Sequence, residues 1–123
     1  MAGQTNSGSA NGTGAAASFN QPSGVAVDAS GVIYVADYNN NLIRKISAGV
    51  VSTVAGGSRE LLSMDGSGTA VQFNYPYNVI VDASGLIYVA DSGGARVARM
   101  TDSGVVTTVA GNGRSGNVDG TGT

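Results

Sequence analysis

The sequence predicts an all-β protein made of two copies of one four-stranded antiparallel unit. The segment Pro22 to Ile46 occurs again as Pro76 to Met100, 54 residues further along the chain. Self-similarity at a fixed period of this size is typical of repeat architectures. Short β-branched and aromatic runs alternate with turns rich in Gly, Asn and Asp, and helical periodicity appears nowhere. These three observations together favour strands over helices.

Four strands are predicted in the first unit, at residues 24–27, 32–36, 42–46 and 50–55. The first is small and apolar, as expected of an innermost strand that is buried on both faces. The second, Val-Ile-Tyr-Val-Ala, has the composition of a central strand. The fourth contains Ser52 and Thr53 and is expected to be more exposed. The second unit repeats this order within residues 78–110.

The glycine-rich segments between the units are predicted to be ordered connectors. Their low complexity alone would favour disorder. However, the motif at residues 11–14, Asn-Gly-Thr-Gly, recurs at 65–68 and 119–122, and Phe19 recurs as Phe73. A loop that is repeated in this way indicates a defined path, in which the two phenylalanines fill an apolar gap before each core strand.

The repeated motif resembles the NHL repeat, a blade of a β-propeller, in its long-linker bacterial form. The resemblance rests on P-S-G-V-A-V-D-A-S-G-V-I-Y-V-A-D-Y-N-N-N-L-I-R-K-I, followed by V-S-T-V-A-G and a D-G-S-G connector. It implies a first connector at 1–20, a blade at 21–56, a connector at 57–75, a blade at 76–110 and a duplicate connector at 111–123. The second unit departs from the first, since Arg96 stands where the first unit has Leu42. The Asn-rich turn at 39–41 is also lost.

Two blades cannot close a propeller, which has about four to eight. Each end of the pair would leave an apolar sheet face bare, so we expect the chain to associate with itself head to tail in a cyclic homo-oligomer. A trimer with six blades is favoured, and a dimer or a tetramer is the alternative. One connector is in excess, as expected of a fragment of a longer array or an engineered protein made from one.

Composition argues against several classes of function. The chain has no Cys and no His, which removes the commonest general base and metal ligand. Its six basic residues are scattered and the net charge is -2, so no nucleic-acid partner is expected. No apolar run is long enough for a membrane span, and residues 1–19 lack the features of a signal peptide. The sequence assigns no compartment.

Catalytic, metal and cofactor sites are not predicted. Asp28, Asp37, Asp82 and Asp91 stand at strand ends and are predicted to cap turns. NHL propellers include protein-binding, RNA-binding and enzymatic members, and a fold does not fix a function. We therefore expect a non-enzymatic assembly module. The alternatives are a module that binds protein or carbohydrate, and a lyase or lactonase, for which the chain lacks the histidines that such enzymes typically use.

A ligand site, if one exists, is expected on the rim where connectors and second-to-third-strand turns meet. Tyr and Asn are common contact residues in binding sites. The candidate ligand-binding residues are Tyr38, Asn39, Asn40, Arg59, Tyr75 and Tyr77. A second set of apolar residues is predicted to pack on the adjacent blade or to form an interface patch: Leu61, Leu62, Met64, Phe19 and Phe73.

Overall fold

A computed structural model of the chain describes residues 2–58 and 64–112, together with Asp119 and Gly122. Within these residues the protein is all-β, as predicted. The strands of the first sheet are β1 (Gly12–Thr13), β2 (Pro22–Val27), β3 (Ile33–Asp37), β4 (Leu42–Ser47) and β5 (Val50–Gly56). Those of the second are β6 (Gly66–Ser67), β7 (Pro76–Val81), β8 (Ile87–Asp91), β9 (Arg96–Met100) and β10 (Val105–Ala110).

Three single-turn 3-10 helices join these strands, at Gly14–Ala16, Tyr38–Asn40 and Gly68–Ala70. Among the described residues, no helix has the length and apolar character needed to cross a membrane.

Each sheet has five strands, so the prediction of four-stranded blades is wrong by one strand. The orders are β1-β5-β4-β3-β2 and β6-β10-β9-β8-β7, all antiparallel. The fifth strand comes from the connector, which pairs Gly12 with Val51 in the first sheet and Gly66 with Val106 in the second. Two residues of Gly and Thr or Ser carry no strand pattern, which is why the sequence did not predict them. Each connector therefore completes the blade that follows it.

The hydrophobic core lies between the two sheets. Because side chains alternate along a strand, each sheet presents two faces. In the first sheet Ala26 pairs with Tyr34 and Gly24 with Ala36, so these residues share the face that packs on the second sheet. The core residues are Tyr34, Ala36, Ile43, Ala55, Val71, Phe73, Val79, Ile87, Val89, Ala98, Met100 and Val106.

The innermost strand β2 is not buried on both faces, contrary to the prediction. Val25 is 63% exposed, whereas its equivalent in the second sheet, Val79, is 2% exposed. Val25 and Val79 occupy the same place in their sheets. The difference arises because β7 packs against the first sheet, while no described element covers the outward face of β2.

Candidate functional site

Three of the predicted rim residues form one aromatic cluster at the junction of the two sheets. Tyr38 lies in the 3-10 turn after β3, Tyr75 precedes β7, and Tyr77 lies within it. The ring centroids of Tyr38 and Tyr75 are 5.1 Å apart, and those of Tyr38 and Tyr77 are 6.3 Å apart in an edge-on arrangement. Tyr77 is 60% exposed and Tyr75 is 42% exposed. We call these three residues the tyrosine platform.

The asparagines beside the platform have different roles. Asn40 donates its side-chain amide to the Gly8 carbonyl and to the Asp37 carboxylate, so it is structural. Asn39 is exposed, and its backbone N–H bonds to the carbonyl of Asn20. Asn41, which was not predicted, accepts a hydrogen bond from the Tyr75 N–H at 2.7 Å and so fixes the platform to the first sheet.

Part of the predicted apolar patch falls outside the described residues. Leu61 and Leu62 lie there, as does the candidate Arg59. Met64 is half-buried, and its carbonyl accepts a hydrogen bond from Arg96. Phe73 is buried in the core as predicted, whereas Phe19 is only half-buried.

A buried ion pair in the first sheet holds the connector. Arg44 Nη1 donates to Asp37 Oδ2 at 2.8 Å, and both side chains are fully buried. The guanidinium also lies over the Phe19 ring, 5.0 Å from its centroid. Its remaining hydrogen bonds go to connector atoms: the carbonyls of Ser18 and Ala10 and the side chain of Asn11.

The second sheet contains the corresponding ion pair. Arg96 Nε donates to Asp91 Oδ2 at 2.9 Å, and the guanidinium lies 5.3 Å from the Phe73 centroid. Burial raises the pKa of the Asp91 carboxyl above its usual value, while the hydrogen bonds from Arg96 and the Asn74 N–H oppose that rise. Arg96 also bonds to the connector at the carbonyls of Met64 and Gln72 and at the Asp65 side chain.

The four strand-end aspartates therefore divide into two kinds. Asp28 and Asp82 cap the turn after the innermost strand, as predicted: Asp28 accepts hydrogen bonds from the N–H groups of Ser30 and Val32. For Asp37 and Asp91 the prediction was incomplete, since each is an acceptor in a buried ion pair. The described residues contain no group of three or more acidic, His or Cys side chains that could hold a metal ion.

Two apolar sheet faces point away from the core, one at each end of the pair. The leading face belongs to the first sheet and consists of Val25, Val27, Ile33 and Ile46. An open hollow of about 380 Å³ lies on it, lined partly by Phe19, Val25 and Ile46. The trailing face belongs to the second sheet and consists of Ile80, Tyr88, Ala90, Val97 and Ala110.

Comparison with known proteins agrees with this architecture. The sequence model of the NHL repeat matches residues 19–46. NHL repeat-containing protein 2 is 40% identical over 87 residues in Bos taurus and 35% identical over 114 residues in Homo sapiens. These alignments cover 68% and 83% of the chain, but the chain spans only 12% and 16% of those relatives.

Two solved structures resemble this chain over most of its length. A structural genomics protein of unknown function from Bacteroides thetaiotaomicron superposes with a TM-score of 0.73 and 31% identity, over 87% of this chain and 27% of its own. A streptogramin B lyase superposes with a TM-score of 0.54 and 16% identity, over 71% of this chain and 25% of its own, and shows likeness of fold alone. The pair of sheets thus matches about a quarter of each of these longer chains.

Proposed function

We propose, on the premise that residues 19–46 of this chain form an NHL repeat, that the protein is a non-enzymatic propeller module that joins copies of itself head to tail into a closed ring. The observation that carries the proposal is that the leading and trailing faces are the repeat equivalents of the two faces that pack together inside the chain. The leading face has the residue types that β7 and β8 bury inside the chain, and the trailing face has those that the first sheet buries.

The internal junction provides the template. Val79, Val89 and Met100 of the second sheet are buried against the first sheet, and their equivalents Val25, Val35 and Ile46 lie on the leading side. On the other side Ile43 is fully buried, while its equivalent Val97 is 43% exposed. Burial of one such side chain contributes about 1.5–3 kcal/mol. A leading face placed on the trailing face of another copy would repeat these contacts.

Ring size follows from the number of blades. Propellers have about four to eight blades, so two to four copies close a ring, and we favour three copies with six blades. Every junction between copies would join a leading face to a trailing face, which is a heterologous contact. Closure of the ring would therefore cover both apolar faces of every copy. The first connector already lies on its own sheet, where Arg44 binds it, and Gly3 donates its N–H to the Gly14 carbonyl. The equivalent tail residues 113–118 lie outside the described residues.

The contacts of the four strand-end aspartates support a non-enzymatic role. Asp37 and Asp91 are committed to buried arginines, and Asp28 and Asp82 to turns. A general acid or base needs a partner and a pocket. The sequence contains no His or Cys to provide one.

Native mass spectrometry over a range of protein concentrations tests the proposal. The expected species has three times the 12.1 kDa mass of the chain, and two or four times that mass would support a smaller or larger ring. A species of 12.1 kDa that persists at every concentration would overturn self-assembly.

A mixing experiment tests the head-to-tail geometry. Val25→Asp disables the leading face and Val97→Asp the trailing face, so each variant alone should be a monomer. Mixed together, they should form a pair with one intact junction, because each variant retains the face that the other lacks. Ala29→Asp, in the exposed turn after β2, is the control and should still form the ring. A variant that pairs with itself would contradict the geometry, because that contact would be isologous.

A further inference from the structure

We propose that the tyrosine platform binds a neutral oligosaccharide. Tyr38, Tyr75 and Tyr77 lie together within one chain, over the junction of its own two sheets. The site therefore does not depend on ring closure. Tyr75 and Tyr77 leave about half of their surface open to solvent, and Tyr38 lies between them as a half-buried third ring.

The fold does not require aromatic residues at these positions, as the repeat itself shows. The equivalents of Tyr38, Tyr75 and Tyr77 are Ser92, Gln21 and Ser23. Gln21 has the same left-handed backbone as Tyr75, with φ at 55° in both, and both residues precede a proline. A glutamine can therefore hold this backbone conformation as well as a tyrosine, so the aromatic rings are additions that the turn geometry does not explain.

The polar groups of the platform are available to a ligand. Within the described part of the chain, the hydroxyls of the three tyrosines make no hydrogen bond. The exposed carboxamide of Asn39 makes none there either. Tyrosine rings and free amides combine flat apolar area with donors and acceptors at its edge. A pyranose ring has the complementary surface, with an apolar C–H face and hydroxyl groups around its perimeter.

Charge and size favour a neutral sugar over other ligands. Asp37 precedes Tyr38, and Asp91 pairs with Pro76 across the second sheet; each carboxylate is buried in an ion pair with an arginine. These two carboxylates therefore offer no exposed charge to an acidic or basic ligand. Three rings, with centroids 5.1 and 6.3 Å apart, span one or two sugar units. A stable protein partner needs about 800 Å² on each side, far more than three half-exposed rings provide.

Titration with neutral hexasaccharides tests the proposal, with cellohexaose, xylohexaose and maltohexaose as probes. Binding is read from the ring resonances of the tyrosines by NMR. The expected result is a saturable shift confined to Tyr38, Tyr75 and Tyr77 for at least one probe. Tyr77→Ala should weaken that binding about threefold to tenfold, the loss expected for one aromatic stacking contact. The number of chains in the assembly, measured in parallel by native mass spectrometry, should be the same for Tyr77→Ala as for the unmodified protein.

Gln21→Ala is the matched control, because Gln21 is equivalent to Tyr75, has the same backbone φ and is not one of the three platform residues. It should leave affinity unchanged, whereas Tyr75→Ala should lower it. The proposal is overturned if no hexasaccharide shifts the tyrosines, or if Tyr77→Ala binds as tightly as the unmodified protein. A platform that binds a proline-rich peptide but none of the sugars would overturn the assigned ligand class.

Discussion

Arg44 and Arg96 make the same set of contacts from positions that are not equivalent in the repeat. Each pairs with the aspartate that ends the second long strand of its sheet, lies over the connector phenylalanine and donates to connector carbonyls. The residue equivalent to Arg44 is Ala98, and the residue equivalent to Arg96 is Leu42. Positions 42 and 44 lie on the same face of β4, so a guanidinium can reach the same place from either.

The exchange of these positions leads to the first prediction. Arg44→Ala should destabilise the protein by about 3–5 kcal/mol, because it leaves the Asp37 carboxylate buried without its partner. Adding Leu42→Arg to Arg44→Ala copies the arrangement of the second sheet and should restore most of the loss. Free energies of unfolding from urea titration measure both effects.

Lys45→Ala provides the control, since Lys45 is adjacent in sequence and only half-buried; it should change stability by about 0.5 kcal/mol or less. A double variant no more stable than Arg44→Ala alone would show that the two arginine positions are not interchangeable. The buried Nε of Arg44 has no partner within the described residues, while Arg96 uses its Nε to bind Asp91. The Leu42→Arg arrangement can therefore satisfy one more donor.

The second prediction compares the two equivalent phenylalanines. Phe73→Ala should cost about 3–5 kcal/mol in the isolated chain, because Phe73 is fully buried in the core. Phe19→Ala should cost about 1–2 kcal/mol, since less of its surface is buried. Urea titration below the assembly concentration measures the difference. Equal losses in a monomer would contradict the idea that Phe19 lies beside an open face.

Much of the fold could be predicted from the sequence, and the residues show why. The eight long strands repeat β-branched runs such as Ile33–Asp37 and Ile87–Asp91, bounded by turn residues, so their positions were clear. The sequence also placed the three platform tyrosines on one rim, because connectors and second-to-third-strand turns lie on the same side of a propeller. The role of Arg44 could not be predicted from the repeat. The alignment places Arg96 opposite Leu42 and Arg44 opposite Ala98, so it does not show that the two arginines stand two residues apart on the same face of their strands.

The third prediction concerns pH. The pKa of Asp82 lies below its ordinary value, mainly because the Ser84 hydroxyl donates to its carboxylate at 2.7 Å. A lowered folded-state pKa contributes stability above the unfolded value of about 3.8, and that contribution is lost as the pH falls through the folded value. Ser84→Ala should raise the pKa of Asp82 and reduce this contribution. An NMR titration of the Asp82 carboxyl carbon measures the shift.

Ser30→Ala, in the equivalent turn of the first sheet, is the control and should leave the titration of Asp82 unchanged. An Asp82 pKa that stays in place in Ser84→Ala would show that the backbone N–H groups of Ser84 and Leu86 hold the carboxylate without help from the hydroxyl.

The fourth prediction uses two glycines that occupy the same turn before the last strand of each sheet. Gly49 and Gly104 have φ values of 78° and 94°, so an alanine is strained at either. A Cβ on Gly104 would lie 2.5 Å from the Val54 carbonyl oxygen of the first sheet, whereas none of the described atoms lies within 4 Å of a Cβ on Gly49. In the isolated chain Gly104→Ala should therefore be the more destabilising variant, as measured by urea titration.

In the proposed ring, each contact between copies would repeat the contact between the two sheets of one chain. Gly49 would then lie against the Val109 carbonyl of the preceding copy, just as Gly104 lies against the Val54 carbonyl within the chain. Gly49→Ala should then raise the concentration at which half of the chains assemble, although it costs the isolated chain only the strain of one positive φ, about 1 kcal/mol. Native mass spectrometry over a dilution series measures this concentration. If Gly49→Ala assembles like the unmodified protein, the contact between copies differs from the contact between sheets, because a repeated junction has no room for that methyl group.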